Sequence, residues 1–242
     1  MSTESDQLRV AGLAIQVIRK DIKNLHLGVY PPDGRVRLAV PFGISDAAAR
    51  LAIIGKVAWI RRQQARFAAQ PRQSKREMVS GESHFYMGRR YRLHVVEREA
   101  PSRVLLRRRA ILELQVRGRC DAGVRRRVLF RWYRERLREL LPPVLARWEV
   151  ALGVRALDVR IRRMRTRWGT CNALARRIWV NLDLALKPVQ CLDYIIVHEL
   201  AHFIEPLHGE RFVALMDRHL PRWRHHRDVL NQAPLGHAEW TY

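Results

Sequence analysis

The sequence predicts an α+β protein: a β-rich amino-terminal region holding one long helix, followed by a mainly helical carboxy-terminal half. Three observations carry this. Segments that alternate polar and apolar residues fill the chain up to residue 118, a period near 3.6 sets in after residue 121, and a mostly apolar helix carries HELAHFIEPLH at 198–208. The predicted division is residues 1–118 and 119–242.

In chain order, Ile15 to Ile22 and Leu25 to Tyr30 read as extended, PPDG at 31–34 is a turn signal, and RVRLAVP at 35–41 alternates as a strand should. This part is a predicted β-hairpin. Ser45 or Asp46 then caps a helix of about 25 residues, with an apolar stripe through Leu51, Ile54, Val57, Ala58 and Ile60 to Phe67. The polar stretch QPRQSKREMVSGES at 70–83 ends that pattern, and HFYMGRRYRLHVVE and VLLRRRAILELQV read as two more strands.

From 121 to 150, Val128, Trp132, Leu137, Leu140, Leu141, Val144, Leu145 and Trp148 recur at helical spacing. Pro142 and Pro143 predict a break or kink within this helix, and Gly153 its end. ALDVRIRRMRTRWG and RRIWVNLDL alternate on either side of the turn-like CNALAR and predict a second hairpin. Lys187-Pro188 announces the next helix, with proline tolerated in its first turn.

Composition narrows the function. With 48% hydrophobic residues the chain can bury a sizeable core. Forty-six Lys plus Arg against 23 Asp plus Glu leave a formal charge of +23, whose field attracts nucleic acid or another polyanion; a solvated basic surface is the plainer alternative. MSTESDQLRV lacks the basic start and apolar run of a secretory signal, and LAIIGKVAWI at 51–60 is short and interrupted by Lys56, so no membrane span is expected. Cys120, Cys171 and Cys191 are too few and scattered for a disulfide framework and form no CxxC pair, so a reducing cytoplasm is expected.

On a helix, residues four apart stand about 40° apart around the axis, so His198 and His202 project from one face on successive turns. Two imidazoles so placed can grip one zinc ion, and Glu199 beside them can act as general base toward a water, returning the proton to a leaving amine. A catalytic zinc needs a third protein ligand. His208 is the nearest candidate, with Pro206 stopping the helix so that the chain can turn back; Asp217, Asp228 and Glu239 are alternatives from further along. A merely decorated helix is the competing reading. It is costly, because LDYIIVHELAHFI is mostly apolar and two histidines and a glutamate would be buried without compensation. His219, His225 and His226 read as a polar helix face, with His225, His226 and Tyr194 as candidate oxyanion stabilisers. Cys171 and Cys191 read as core residues, and Gly34, Gly88 and Gly169 as turn glycines.

TRWGTC at 166–171, IWVNLDLALKP at 178–188, LDYIIVHELAH at 192–202 and LHGERFVALMDRHLPRWRHHRDVLN at 207–231 closely resemble the YgjP-like metallopeptidase family, related to the SprT-like proteases. PDGRV, the long helix and ESHFYMGRRYRL are similar to that family's amino-terminal half. The resemblance implies a compact zincin-like metallopeptidase domain with an HExxH active-site helix. It also implies one Zn2+ ion bound by His198, His202 and His208, with Glu199 as the catalytic carboxylate. RRIWVNLDL would be the strand whose edge faces the cleft, where an extended peptide could add. The spacing of His208 equals that of the metzincins too, but Glu205 stands where they place glycine and no Met-turn is evident. Thr170 stands where the YgjP-like family commonly has serine.

The expected function is a zinc-dependent metallopeptidase acting on a polypeptide substrate. Two other classes compete. A nucleic-acid-associated accessory protein with a structural zinc site is disfavoured by an intact Glu199 and an open fourth metal position, since structural sites are normally closed by four protein ligands. A metal-dependent hydrolase of a non-peptide bond would use the same groups.

Overall fold

The computed structural model describes residues 4–30, 34–69, 76–164 and 167–232. Two compact units divide the chain: described residues 4–69 belong to the first and 76–232 to the second. The change of sequence character near residue 118 therefore falls within the second unit.

In the first unit, β1 (Glu4–Val10), β2 (Leu13–Lys20), β3 (His26–Tyr30) and β4 (Arg35–Pro41) form one sheet in the order β1-β2-β4-β3. Strands β2 and β4 run parallel; the other pairs are antiparallel. The predicted hairpin is β3 with β4, and the first three residues of PPDG, 31–33, lie outside the described residues. Strand β1 gives little sequence signal because it is polar apart from Leu8 and Val10 and takes the sheet edge. The apolar face of the sheet, including Ile15, Val36 and Leu38, forms a core with Ala49 and Ile53 of α1 (Asp46–Ile54) and Ile60 of α2 (Val57–Ala69).

The single long helix predicted here is thus two. Ser45 caps the first, its Oγ accepting from the Ala48 amide at 3.3 Å. Gly55, a poor helix former, ends it, and the amides of Gly55 and Lys56 turn back to the carbonyls of Leu51 and Ile53. The break also moves the buried face: Ala49, Ile53 and Ile60 are buried, while Leu51 and Ile54 of the predicted stripe are exposed. The side chain of Phe67 lies outside the described ones.

The second unit opens with β5 (Ser83–Tyr86), β6 (Arg89–Arg98), β7 (Arg103–Arg107) and β8 (Ile111–Arg117), in the order β5-β6-β8-β7. Each segment predicted as one strand is a pair of strands. The chain reverses at Met87–Gly88 and at 108–110, with positive φ at Met87, Gly88, Arg109 and Ala110. The second reversal is hidden in the sequence because RRRA contains neither proline nor glycine.

Helix α3 (Ala122–Leu152) starts at Asp121, whose carboxylate accepts from the Val124 amide at 2.7 Å, and ends at Gly153 with φ 66°. It runs unbroken through Pro142 and Pro143, contrary to the predicted break. Buried Leu137, Leu141 and Val144 anchor it on both sides, offsetting the roughly 3 kcal/mol that an interior proline costs. Beyond it, β9 (Asp158–Arg162), β10 (Gly169–Asn172) and β11 (Arg177–Asn181) form a sheet in the order β10-β11-β9. The second hairpin is β10 with β11, and β9 runs parallel to β11; ALDVRIRRMRTRWG, read as one strand, contains β9 and the start of β10.

A 3-10 turn at Leu182–Leu186 leads into α4 (Val189–Ala201), which Pro188 precedes as its cap, followed by α5 (Glu210–His219) and α6 (Trp223–Gln232). The reversal at Met87–Gly88 braces the start of α4. Its two amides donate to the carbonyls of Ala185 and Leu186 at 2.8 and 3.3 Å, and a Cβ on Gly88 would meet Pro188 at 2.8 Å. Helix α4 is buried on nearly every side, through Cys191, Leu192, Tyr194 to Val197 and Leu200, as befits a helix without a polar face. No helix among the described residues is long and apolar enough to cross a membrane.

Candidate metal centre and active site

Helix α4 delivers His198 and Glu199 in its last turn, and His202 caps its carboxyl end. The helix stops at Ala201, before Pro206, so that proline is not the terminator predicted for it. Instead the amides of Phe203, Ile204 and Glu205 fold back on the carbonyls of Leu200 and Ala201 at 2.9, 3.0 and 2.9 Å. The turn returns His208 to the helix end, placing its Nε2 3.1 Å from Nε2 of His198. Ligand atoms of His198, His202 and His208 all lie within 4.8 Å of one another.

The rings of His198 and His202 are prepared as neutral donors. Nδ1 of His202 donates to the Glu205 carbonyl at 3.1 Å, which leaves its Nε2 lone pair free. Burial lowers the pKa of His198 to about 3, with the neighbouring imidazoles adding to the effect. Burial also lowers that of His202, against the bond to Glu205. Phe212 of α5, 2% exposed, stands among the three rings, with centroids 5.0, 4.6 and 4.7 Å from those of His198, His202 and His208. Sequence reasoning missed this residue; the signal available was the amphipathic run ERFVALM, with Phe212 and Met216 on its buried face.

This donor set suits zinc. Imidazole nitrogens at about 2.0–2.1 Å in a tetrahedral arrangement stand about 3.3 Å apart, and the His198–His208 pair is already at 3.1 Å. On His198, moreover, Nδ1 is buried with no hydrogen-bond partner among the described residues, while Nε2 faces another Nε2. Two neutral rings can share only one proton between such nitrogens, whereas a cation accepts a lone pair from each.

Glu199 is 4% exposed. Burial raises its pKa to about 7, against a hydrogen bond from Cys171 and the charge of Arg167. The Cys171 thiol, donating to that carboxylate, is pushed up to about 12 by burial first and by Glu199 second. A Cβ on Gly169 would lie 2.5 Å from Oε1 of Glu199, so β10 rests directly on α4. Gly169 is therefore a strand residue in close approach, not a turn glycine, and Cys171 is a partner of the candidate base, not simply a core residue. The strand beside the site is also corrected: β11 is central and paired on both sides, and it is β10, at the end of the sheet, that lies against α4.

Asn181, fully buried, ties down the approach to β10. Its Nδ2 donates to the carbonyls of Met164 and Arg167 at 2.8 and 2.7 Å, and its Oδ1 accepts from the amides of Met164 and Asp183 at 3.4 and 3.2 Å. The alternative third ligands are engaged elsewhere: Asp217 accepts from Trp223 Nε1 at 2.8 Å and from Arg224, and Asp228 meets Arg227 at 3.4 Å. Glu239 lies outside the described residues. Of the candidate oxyanion stabilisers, Tyr194 packs on His198, ring centroids 5.8 Å apart, whereas His225 and His226 face each other on α6 at 5.6 Å. Beside Glu199 and His198 opens a cleft of about 190 Å³, lined also by Arg167, Trp168 and Gly169 and by Arg227 and Leu230 of α6.

A family model described as YgjP-like, metallopeptidase domain, matches residues 23–233. Comparison with curated proteins returns no match. Among solved structures, the metallopeptidase zymogen of Pyrococcus abyssi abylysin is 22% identical, over 36% of this chain and 89% of its own, with a TM-score of 0.34. The metallopeptidase zymogen of Methanocaldococcus jannaschii jannalysin is 18% identical, over 37% of this chain and 92% of its own, with a TM-score of 0.34.

Proposed function

Because this chain belongs to the YgjP-like metallopeptidase family, we propose that it is a zinc-dependent peptidase working through His198, His202, His208 and Glu199. The three histidines would hold one zinc ion, and the Glu205 carbonyl would fix the ring of His202 toward it. What the metal supplies when bound is Lewis acidity, which polarises a carbonyl and brings the ionisation of a water close to neutral pH. Glu199 removes the proton of the attacking water and hands it to the leaving amine. Cys171 and the bare backbone of Gly169 hold that carboxylate in one place. An extended polypeptide adds along the outer edge of β10, where backbone pairing gives affinity with little demand on sequence.

The observation that carries this reading is the meeting of three imidazoles with one buried carboxylate beside a strand at the end of its sheet. Among the described residues three ligands meet here, against the four that close a structural zinc site, and that count favours a catalytic role over a structural one. The test compares wild type with Glu199→Gln, both zinc-loaded, on a denatured and alkylated protein. Wild type should cleave, and the variant should lose roughly 10²- to 10⁴-fold in rate. No cleavage by zinc-loaded wild type would overturn the reading.

A further inference from the structure

We propose that the cleft beside Glu199 is a subsite for a carboxylate of the polypeptide substrate, received by Arg167 and Arg227 of its lining. The inference rests on the peptidase reading for the identity of the substrate and goes beyond it in naming the group that the cleft selects.

Size comes first. At about 190 Å³ the cleft is smaller than the roughly 300 Å³ at which small-molecule sites begin, so it takes one side chain or a chain end and not a whole small molecule. Part of its lining is apolar and buried: Tyr194, Ile195 and Leu230. Its two basic lining residues are arginines, and the one carboxylate among the described lining residues, Glu199, is buried and already engaged by Cys171. A short methylene stem suits the apolar lining, and a carboxylate at its end suits the arginines through charge-assisted hydrogen bonds. A lysine or arginine side chain would meet the like charge of both arginines.

The two arginines are available for this task. Arg167 donates to Thr170 Oγ1 at 3.5 Å, and Arg227 lies over the Trp223 ring at 5.1 Å and meets Asp228 at 3.4 and 3.5 Å. These bonds are long, and the Arg227 side chain is 45% exposed, so a substrate carboxylate can replace them at little cost. The position also suits the proposed strand addition. Arg167 immediately precedes Trp168 and Gly169 at the start of β10, so a peptide laid along that strand passes the mouth of the cleft.

A glutamate or aspartate side chain and a free carboxyl terminus offer the same chemistry, and one experiment separates them. Fluorescein-labelled hexapeptides carry Glu walked through the central positions, each with a Gln-matched control, and each is made as the carboxyl-terminal amide and as the free acid. Binding to zinc-loaded Glu199→Gln protein is read by anisotropy, so no turnover is needed. At one position Glu should bind about tenfold tighter than Gln, the scale of one charge-assisted contact. Adding Arg167→Gln or Arg227→Gln should bring the two peptides together, and Arg227→Lys should retain part of the difference. A preference confined to free acids assigns the subsite to the chain terminus. Equal binding of all peptides, no binding of any, or a Glu preference that survives both Gln substitutions overturns the proposal. If the preferred peptide binds but zinc-loaded wild type leaves it and other polypeptides uncut, the peptidase reading fails and the carboxylate subsite stands.

Discussion

Gly169 and Glu199 meet with no room between them: a Cβ on the glycine would stand 2.5 Å from the carboxylate Oε1, and 2.7 Å from Cγ2 of Ile195 on the same helix. Neither α4 nor β10 can give way easily, because α4 is buried on nearly every side and β10 is paired with β11. The space that holds the candidate base is thus set by a missing side chain.

Gly169→Ala should therefore displace Glu199 without touching the histidines. A misplacement of about 1 Å can cost a catalytic group on the order of 10²-fold in rate, and overpacking about 1–3 kcal/mol in stability. Peptide cleavage should fall by that factor while zinc content, measured by metal analysis, stays at the wild-type level. Wild-type activity in this variant would show that the carboxylate position does not matter.

The contrast between Gly169 and His202 marks what was legible in the sequence. His198, Glu199 and His202 are placed by the four-residue spacing of one helix, and the apolar run before them says that the helix is buried. His208 follows within a short loop. Gly169 and Cys171 reach Glu199 only through the pairing of β10 with β11 and the packing of that sheet on α4, and alternation of period two carries no information on strand order. The resemblance names RRIWVNLDL as the strand at the cleft, and the strand order, which alternation cannot supply, puts β10 there instead. The missed reversals have a local cause: at 108–110 and after Gly55 the chain turns without the paired proline and glycine signals that announce turns elsewhere.

Asn181 should prove as sensitive as a metal ligand while touching no metal. Its amide satisfies the carbonyls of Met164 and Arg167, and Asn181→Ala removes both hydrogen bonds, at about 0.5–1.5 kcal/mol each. The expected result is a clear drop in thermal midpoint together with loss of cleavage, because the wall leading to Gly169 is no longer held. Asn181→Asp should be no better at neutral pH, since a carboxylate would face the same carbonyls. A wild-type midpoint for either variant would show that these bonds are dispensable.

His84 predicts a pH dependence of folding that is independent of the metal site. It is buried, and its pKa falls from the ordinary 6.5 to about 4, through burial first and the Arg76 charge second, against its bond to Glu82. Between those values the unfolded chain binds a proton that the folded chain refuses, so stability falls as pH drops from 6.5 toward 4. At about 1.36 kcal/mol per pH unit the full loss is about 3 kcal/mol. Urea unfolding of metal-free wild type and His84→Gln from pH 7 to 5 should give curves that diverge with pH, wild type losing stability faster on acidification. Parallel curves would mean that His84 titrates normally in the fold.

His208 offers the sharpest test of the metal assignment, because it is exposed and lies beyond α4, so its loss should leave the fold intact. In His208→Ala the remaining pair, His198 and His202, still shares one helix end but has lost the ring 3.1 Å away from His198. Zinc affinity should fall by more than the 10- to 100-fold that removal of an outer partner of a ligand typically costs. The loss also reads out in stability. Zinc at about 100 times its dissociation constant stabilises the folded state by about 2.7 kcal/mol, so added zinc should raise the wild-type midpoint by several degrees and move the variant's far less. His219→Ala, on the next helix and outside the triad, is the matched control and should respond as wild type does. Equal zinc-induced shifts in all three proteins would place the third ligand elsewhere in the chain.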